Sequence, residues 1–195
     1  MSHDTTCRRV FGLSLETITR RILRTFDAAT ASDVESGARW YDEAGQLALS
    51  LSSHVDGDIL RAACVISALS PRTSWSRNVA GAVALLESGP DAARSLGCIG
   101  ANIDRAVACQ NRGLDGIGNG PKTRAFALNI AGDRDAVTVD VWAARVAGLD
   151  ETLLSRAGAY DAIAHAYRLA ARRRGVDPAT MQATAWIVAR NGRAS

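Results

Sequence analysis

The chain lacks long apolar runs and paired cysteines, and these absences exclude several classes of protein. No stretch of about 18 apolar residues occurs among the 195 residues, so no membrane-spanning helix is expected. Residues 1–9 are polar and lack the apolar segment of a secretory signal. The four cysteines include no C-x-x-C pair, which argues against a disulfide framework or a zinc site. We therefore expect a cytoplasmic protein without a metal or other cofactor, in which Cys64 and Cys109 are buried free thiols.

Lysine is nearly absent as well. Of the 23 basic residues 22 are Arg, and Lys122 is the only Lys. Arg can replace Lys at most surface positions, but its guanidinium stays protonated and cannot act as a nucleophilic amine. Lys122 is therefore either retained for its amine or a chance survivor. The charge is also uneven, because residues 99–195 carry 13 basic against 9 acidic side chains, which indicates either a polyanionic partner or a solvated surface.

Helical periodicity runs through most of the chain. Apolar residues recur at intervals of three and four, and Ala is abundant, which together predict amphipathic helices. We expect about ten helices, at 13–28, 33–51, 59–69, 77–86, 91–96, 101–110, 122–131, 141–147, 160–174 and 178–190, with a short extended piece at 136–139. No repeat and no linker divides the chain. The sequence therefore predicts an all-α fold.

A glycine-rich stretch separates two of these predicted helices. It contains Gly113, Gly116, Gly118 and Gly120, and Pro121 follows at the favoured first position of the next helix. A hairpin of this kind exposes backbone N–H groups beside a helix N terminus, an arrangement that binds phosphate. A plain turn between two helices would have a similar local sequence, so both interpretations stay open.

The residues after the hairpin carry a family resemblance. Lys122-Thr123 follows the hairpin, and Val139-Asp140 comes about twenty residues later. This order resembles the helix-hairpin-helix DNA glycosylases, in which a G-x-G hairpin precedes Lys-Thr, a helix and then Val-Asp. Gly118-Asn119-Gly120 is similar to the hairpin core. Residues 66–70 with the later Asn78 are similar to the family's Leu-Ser-Ala-Gln-Thr segment and its Val-Asn, so the resemblance spans about 58–149.

The resemblance implies an architecture and a partner. We expect one helix-hairpin-helix glycosylase-like unit over residues 1–195 with two helical lobes. Residues 58–149 would form the hairpin lobe, and the N-terminal helices with residues 150–195 would form the other. The cleft between them would place Lys122 and Asp140 together as the catalytic pair, facing DNA bound by a monomer. The expected DNA-binding residues are Gly116, Gly118, Asn119, Gly120 and Thr123 of the hairpin, together with Arg72 and Trp75.

The implied chemistry requires an extruded base. An enzyme that acts on a base in a duplex must flip it out of the stack. The Asp140 carboxylate would stabilise positive charge on the sugar, and the Lys122 amine would displace the base and form a Schiff base, as in a DNA repair glycosylase with lyase activity. Each residue also has a simpler interpretation. Asp140 could serve as a helix cap alone, and Lys122 could contact phosphate without reacting. Trp75 could stack on a base or wedge into the duplex, and Arg72 could bind phosphate or be solvated.

The sequence departs from the family pattern at three places. Leu69 replaces a common Gln, Trp142 replaces the Thr-His that usually follows the aspartate, and the four-cysteine run of the iron–sulfur members is absent. The segment 68–75 and the Asp140-Val141-Trp142 variant are more similar to phage-associated relatives that modify thymine in DNA. Three hypotheses follow, namely a glycosylase with possible lyase activity, a base-modifying transferase and a non-catalytic DNA-binding protein.

Other conspicuous residues receive structural interpretations. Trp40, Trp142 and Trp186 lie in helical apolar stripes and are expected in the core. Three consecutive arginines at 172–174 end a predicted helix, where they either complement the helix dipole or contact DNA. The three histidines show no ligand spacing.

Overall fold

The protein is all-helical, as the sequence predicts. A computed structural model describes residues 2–192, and within that range it contains helices and no strand. The α-helices are α1 His3–Phe11, α2 Leu15–Asp27, α3 Ala31–Leu51, α4 Ile59–Leu69, α5 Trp75–Ser88, α6 Pro90–Ser95, α7 Gly100–Arg112, α8 Leu114–Ile117, α9 Pro121–Ile130, α10 Val141–Val146, α11 Ala159–Arg174 and α12 Pro178–Arg190. Two 3-10 segments lie at Ser52–Val55 and Glu151–Ser155. No helix in the described range is long and apolar enough to span a bilayer.

Side-chain caps fix where several helices begin. The carboxylates of Asp58, Asp140 and Asp177 each accept a hydrogen bond from the backbone N–H three residues ahead, at 2.8–3.0 Å. This bond satisfies one of the N–H groups that the first turn of a helix leaves unpaired. Gly175 ends α11 in the left-handed conformation with φ 66°. The predicted starts at Ile59, Val141 and Pro178 are therefore confirmed.

Two helices were not expected from the sequence. The first, α1, is mostly polar, but Ser2 caps it and it buries Cys7 and Val10. The second, α8, is a single turn inside the glycine-rich stretch. Neither has an apolar stripe long enough to show helical periodicity, so periodicity alone could not find them.

The helices cluster into two compact units. One comprises Met1–Tyr41 with Arg134–Ser195, and the other is Asp42–Asp133. The lobes expected from the resemblance, with bounds at 58 and 149, stay a prediction. In this clustering residues 42–57 join the second unit and residues 134–149 join the first. The reason is apolar packing: Val137, Val139 and Val146 share one buried cluster with residues of α2, α11 and α12. We call these the terminal unit and the hairpin unit, respectively.

The core of the hairpin unit is built around α4. Residues 62–69 of this helix are all buried, and four of them are Ala or Cys, whose small side chains let neighbouring helices approach closely. Cys64 and Cys109 are free and fully buried, as expected. Burial raises the pKa of the Cys64 thiol to about 12 and that of Cys109 to about 11, so neither is a nucleophile at neutral pH.

The tryptophans that were expected in the core lie at its edge. Trp40, Trp142 and Trp186 are all half-buried, and none belongs to the fully buried set. Their large rings are partly covered by neighbours on the surface: the Arg145 guanidinium lies 5.1 Å from the Trp142 ring centroid, and the Arg190 guanidinium lies 4.7 Å from that of Trp186. An apolar stripe alone therefore overstated their burial.

Two of the three consecutive arginines form ion pairs within the terminal unit. Arg173 donates two hydrogen bonds to the Glu16 carboxylate, at 3.0 and 2.6 Å, and Arg174 donates two to Asp27, at 2.7 and 2.6 Å. These forked pairs join α11 to α2. The partner arginines lower the pKa of both carboxyl groups. The patch therefore has a structural role that helix-dipole complementarity does not describe.

We expect these ion pairs to stabilise the fold at neutral pH and to lose this effect in acid. Because the folded pKa of each carboxyl is lowered, the benefit exists above the unfolded pKa of about 4 and is lost as the pH falls through the folded value. Replacing both arginines (Arg173→Gln with Arg174→Gln) should lower the Tm at pH 7 on the order of 2 °C, and the difference should close near pH 2. Arg172→Gln is the matched control and should leave the Tm unchanged. A Tm difference that is the same at both pH values would contradict the ion-pair explanation.

Candidate hairpin site

The hairpin runs from the end of α7 to the start of α9. Gly113 ends α7 with φ 54° and ψ −128°, α8 makes one turn, and Gly118 follows with φ 76° and ψ −158°. The conformation of Gly118 is one that essentially only glycine adopts. Gly120 is different, because its φ of −71° is open to any residue. The glycine requirement is therefore conformational at Gly118 and not at Gly120.

Gly116 is required for a different reason, which is close packing. It is buried in α8, and a Cβ atom built there would overlap the backbone of Ala108 and Cys109 in α7. The backbone of the hairpin therefore rests directly on the backbone of α7. Gly116 also lines the groove described below, so its expected contact with DNA stays a prediction beside this structural role.

Two side chains lock the hairpin to its surroundings. The Arg124 guanidinium donates a hydrogen bond to the Leu114 carbonyl at 2.9 Å, which ties α9 back to α8. The Ser67 hydroxyl of α4 donates to the Thr123 carbonyl at 2.7 Å, which fixes the first turn of α9. Both bonds constrain backbone atoms that border the hairpin.

A groove of about 440 Å³ opens beside this hairpin. It is lined by Ala101, Arg105, the stretch Gly116–Gly120 and Thr123. The structure thus brings together all five hairpin residues that the sequence singled out. It adds Arg105, which projects from α7, is exposed, and makes no hydrogen bond or ion pair with another described residue. An exposed Arg on an amphipathic helix carries no local signal, so the sequence could not identify it.

Lys122 is the second residue of α9. Its side chain is half-exposed and has no hydrogen-bond or ion-pair partner in the described part of the chain. Basic residues stabilise the last turn of a helix and not the first, so helix stability does not explain a lysine there. Phe126 lies four residues later, on the same face of α9.

Arg72 lies in the loop that joins α4 to α5, and Trp75 directly follows this loop. Arg72 is exposed and adopts φ 60°, a conformation that is costly for a residue with a side chain. The loop is anchored where the Asn102 amide donates to the Pro71 carbonyl at 2.9 Å. Trp75 begins α5, and its ring meets that of Phe126 edge-on, with 6.4 Å between centroids and 67° between planes.

Asp140 lies in the terminal unit, where it caps α10. Its Oδ1 accepts the Ala143 N–H at 2.8 Å, and the side chain is half-exposed. The Tyr160 hydroxyl donates to the Val137 carbonyl at 2.8 Å and accepts from the Val139 N–H at 3.2 Å, which fixes the extended segment before Asp140. Capping is therefore confirmed, and a catalytic role stays a prediction.

Three tyrosines lie near Asp140. Burial, and to a smaller extent the Asp140 carboxylate, raises the pKa of Tyr41, Tyr160 and Tyr167, that of Tyr160 to about 12. Asp140 and Lys122 belong to different units, and the expectation that they face one cleft stays a prediction. Among residues 2–192, no group of three His, Cys, Asp or Glu side chains could hold a metal ion.

Comparison with known proteins identifies a family. A family model described as "Family of unknown function (DUF7178)" matches residues 4–193, and the chain belongs to this family. No curated protein matches the chain. No solved structure matches it either.

The three hairpin glycines should tolerate alanine to different degrees. Gly116→Ala should be the most destabilising, because the added methyl would overlap backbone atoms that cannot move aside. Gly118→Ala should cost about 1–3 kcal/mol of unfolding free energy through backbone strain alone. Gly120→Ala should stay within about 0.5 kcal/mol of the parent, because its φ is ordinary and the nearest atom to a new Cβ is 3.7 Å away. Urea unfolding would measure the order, and equal losses at 118 and 120 would contradict it.

Proposed function

We propose that this member of the DUF7178 family is a DNA-binding enzyme of the helix-hairpin-helix glycosylase type. It holds the DNA backbone in the hairpin groove and acts on an extruded base through Lys122 and Asp140. The observation that carries the proposal is the groove itself, which combines glycine backbone, a helix N terminus and an arginine without a carboxylate partner.

The groove has the properties that a phosphate group requires. The glycines at 118 and 120 leave backbone N–H groups uncovered by side chains, next to the first turn of α9, where N–H groups lack helical partners. Arg105 adds a forked cation that can bind two phosphate oxygens at once. A groove of about 440 Å³ has room for a sugar-phosphate unit. Backbone contacts of this kind bind DNA without reading its sequence.

The reaction assigns different tasks to Lys122 and Asp140. In the proposed step the Lys122 amine attacks C1′ of the extruded nucleotide, and the base leaves with the electrons of the glycosidic bond. The Asp140 carboxylate stabilises the positive charge that develops on the sugar. The attacking nitrogen then passes a proton to the ring oxygen as the sugar ring opens to a protonated Schiff base, and loss of a C2′ proton with departure of the 3′ phosphate cleaves the strand. The absence of an ion pair at Lys122 supports this assignment, because a paired ammonium would have to break that pair first.

A base-modifying transferase is the second candidate, and the surroundings of Asp140 favour it. Val141 is 42% exposed and Trp142 is half-exposed, so two apolar residues follow the carboxylate on the surface. An acceptor molecule that covers this apolar surface would exclude water from the carboxylate, and group transfer to an acceptor other than water benefits from that exclusion.

We expect DNA binding to depend on salt and on Arg105. The affinity of the parent protein for duplex DNA should fall linearly on a log–log plot against salt concentration, by about 0.9 per phosphate neutralised. Arg105→Gln should weaken binding roughly tenfold at low salt and reduce the slope by about 1, for all sequences alike. Fluorescence anisotropy with labelled duplexes would measure both quantities.

The matched control for this test is Arg94→Gln. Arg94 is an exposed arginine of the same unit, but it pairs with Asp91, so its loss should change neither affinity nor slope. No measurable binding by the parent protein, or an equal effect of both variants, would contradict the assignment of the groove.

Lys122→Arg should separate amine chemistry from binding. If the protein is a lyase, borohydride should trap it on a strand with an abasic site, and the adduct should map to Lys122, the only lysine. The Arg variant should bind DNA nearly as well and form no adduct, because a guanidinium cannot act as the nucleophile. Asp140→Asn should keep the helix cap and lower the rate.

Strand nicking and nucleoside mass analysis distinguish the two candidate enzymes. An unchanged turnover of the Lys122→Arg variant would exclude the Schiff-base route. A modified nucleoside in place of an abasic site would then establish the transferase. Binding without any change to the DNA would leave only a non-catalytic DNA-binding protein.

A further inference from the structure

The starting observation is a buried amide in α5 that has no partner. Asn78 is 1% exposed, and neither its side-chain nitrogen nor its oxygen forms a hydrogen bond within the described chain. Buried amides in folded proteins nearly always form at least one such bond, because an unpaired donor or acceptor loses its hydration without compensation. Asn78 therefore requires a reason other than packing.

The position of Asn78 places it next to aromatic side chains. It lies three residues after Trp75, hence on the same face of α5, and helical side chains tilt toward the N terminus of their helix. The amide therefore leans toward the turn that carries Trp75. The Trp75 ring contacts Phe126, which lies one turn after Lys122 in α9. Two helices of the hairpin unit thus carry these groups in order: Asn78 and Trp75 lie on one face of α5, and Phe126 and Lys122, the only lysine, lie on one face of α9.

We propose that Trp75, Phe126 and Asn78 form a subsite for an unpaired nucleobase. The inference rests on the proposed function, because it assigns the extruded base a place. The base stacks on the Trp75 ring, which every base can do through its π-face. The Asn78 amide, with a donor and an acceptor side by side, pairs with the polar edge of the base.

Entry of the base requires Trp75 to move. The Trp75 ring is half-buried and lies at the first residue of α5, where the helix meets the loop that contains Arg72. Arg72 holds a strained φ of 60° in that loop, and such strain is typical of segments that bind or switch. When the base replaces the edge-on contact with Phe126, the Trp75 side chain swings outward, and the polar edge of the base reaches Asn78. Lys122, one turn before Phe126, then lies beside the bound nucleotide.

The first test separates stacking from backbone binding. Dissociation constants are measured for a fully paired duplex, for duplexes with one bulged nucleotide carrying each of the four bases, and for one with a bulged abasic nucleotide. The parent protein should prefer the best bulged base over the abasic bulge by roughly tenfold or more. Trp75→Ala should abolish that preference, whereas Trp75→Phe should retain most of it.

The second test addresses Asn78 through the nearly isosteric variant Asn78→Leu. The parent protein should discriminate among the four bulged bases by roughly tenfold, and the variant should bind all four within about twofold while still preferring them to the abasic bulge. The same variant should keep or raise the Tm, because it removes an unpaired buried amide. A changed Tm with unchanged base discrimination would show that Asn78 is structural, and would overturn its assigned role.

The two tests also separate this inference from the proposed function. If the parent protein binds no duplex at all, the proposed function fails and the subsite fails with it. If the parent protein binds the paired duplex in a salt-dependent manner but shows no preference for a bulged base, only the subsite is overturned.

Discussion

The close approach of two backbones at Gly116 is the constraint on which the hairpin depends. Because no side chain stands there, the single turn of α8 rests on the backbone of α7. That contact fixes the course of the backbone from α8 through Gly118 and Gly120 to the start of α9. The groove lies between this backbone segment and Arg105. The hydrogen bonds from Arg124 to the Leu114 carbonyl and from Ser67 to the Thr123 carbonyl constrain the backbone on either side of this segment. A single methyl group at residue 116 would therefore displace the floor of the groove.

The three glycines at 116, 118 and 120 thus do not share one physical explanation, and this shows where sequence reasoning ends. Gly116 is set by packing, Gly118 by a conformation that essentially only glycine adopts, and Gly120 by neither. The spacing predicted a turn between helices correctly. It could not separate these reasons, because steric room depends on residues 108 and 109 and backbone angles depend on the closed hairpin.

Features set by neighbouring residues were predictable, and features set by distant ones were not. The helix starts after Asp58, Asp140 and Asp177 depend on a side chain that caps the backbone N–H three residues later. Both residues lie close together in the chain, so the sequence predicts these starts. The ion pairs of residues 173 and 174 join positions about 150 apart in the chain, and no local pattern shows them. The same limit applies to the site: Lys122 stood out by composition, whereas Arg105 became visible only when α7 was placed beside the hairpin.

The residues assigned to chemistry share one structural position, the beginning of a helix. Asp140 is the cap of α10, Lys122 is the second residue of α9, and Trp75 is the first of α5. A side chain at such a position borders backbone N–H groups that the helix leaves unpaired, and it projects toward the preceding loop instead of into the helix's own packing face. Asp140 uses these N–H groups and is held in place by them, whereas Lys122 gains nothing from them. The fold therefore holds the Asp140 carboxylate in place and leaves the Lys122 amine without a partner among the described residues, which are the properties that the proposed reaction would require of a stabilising charge and of a mobile nucleophile.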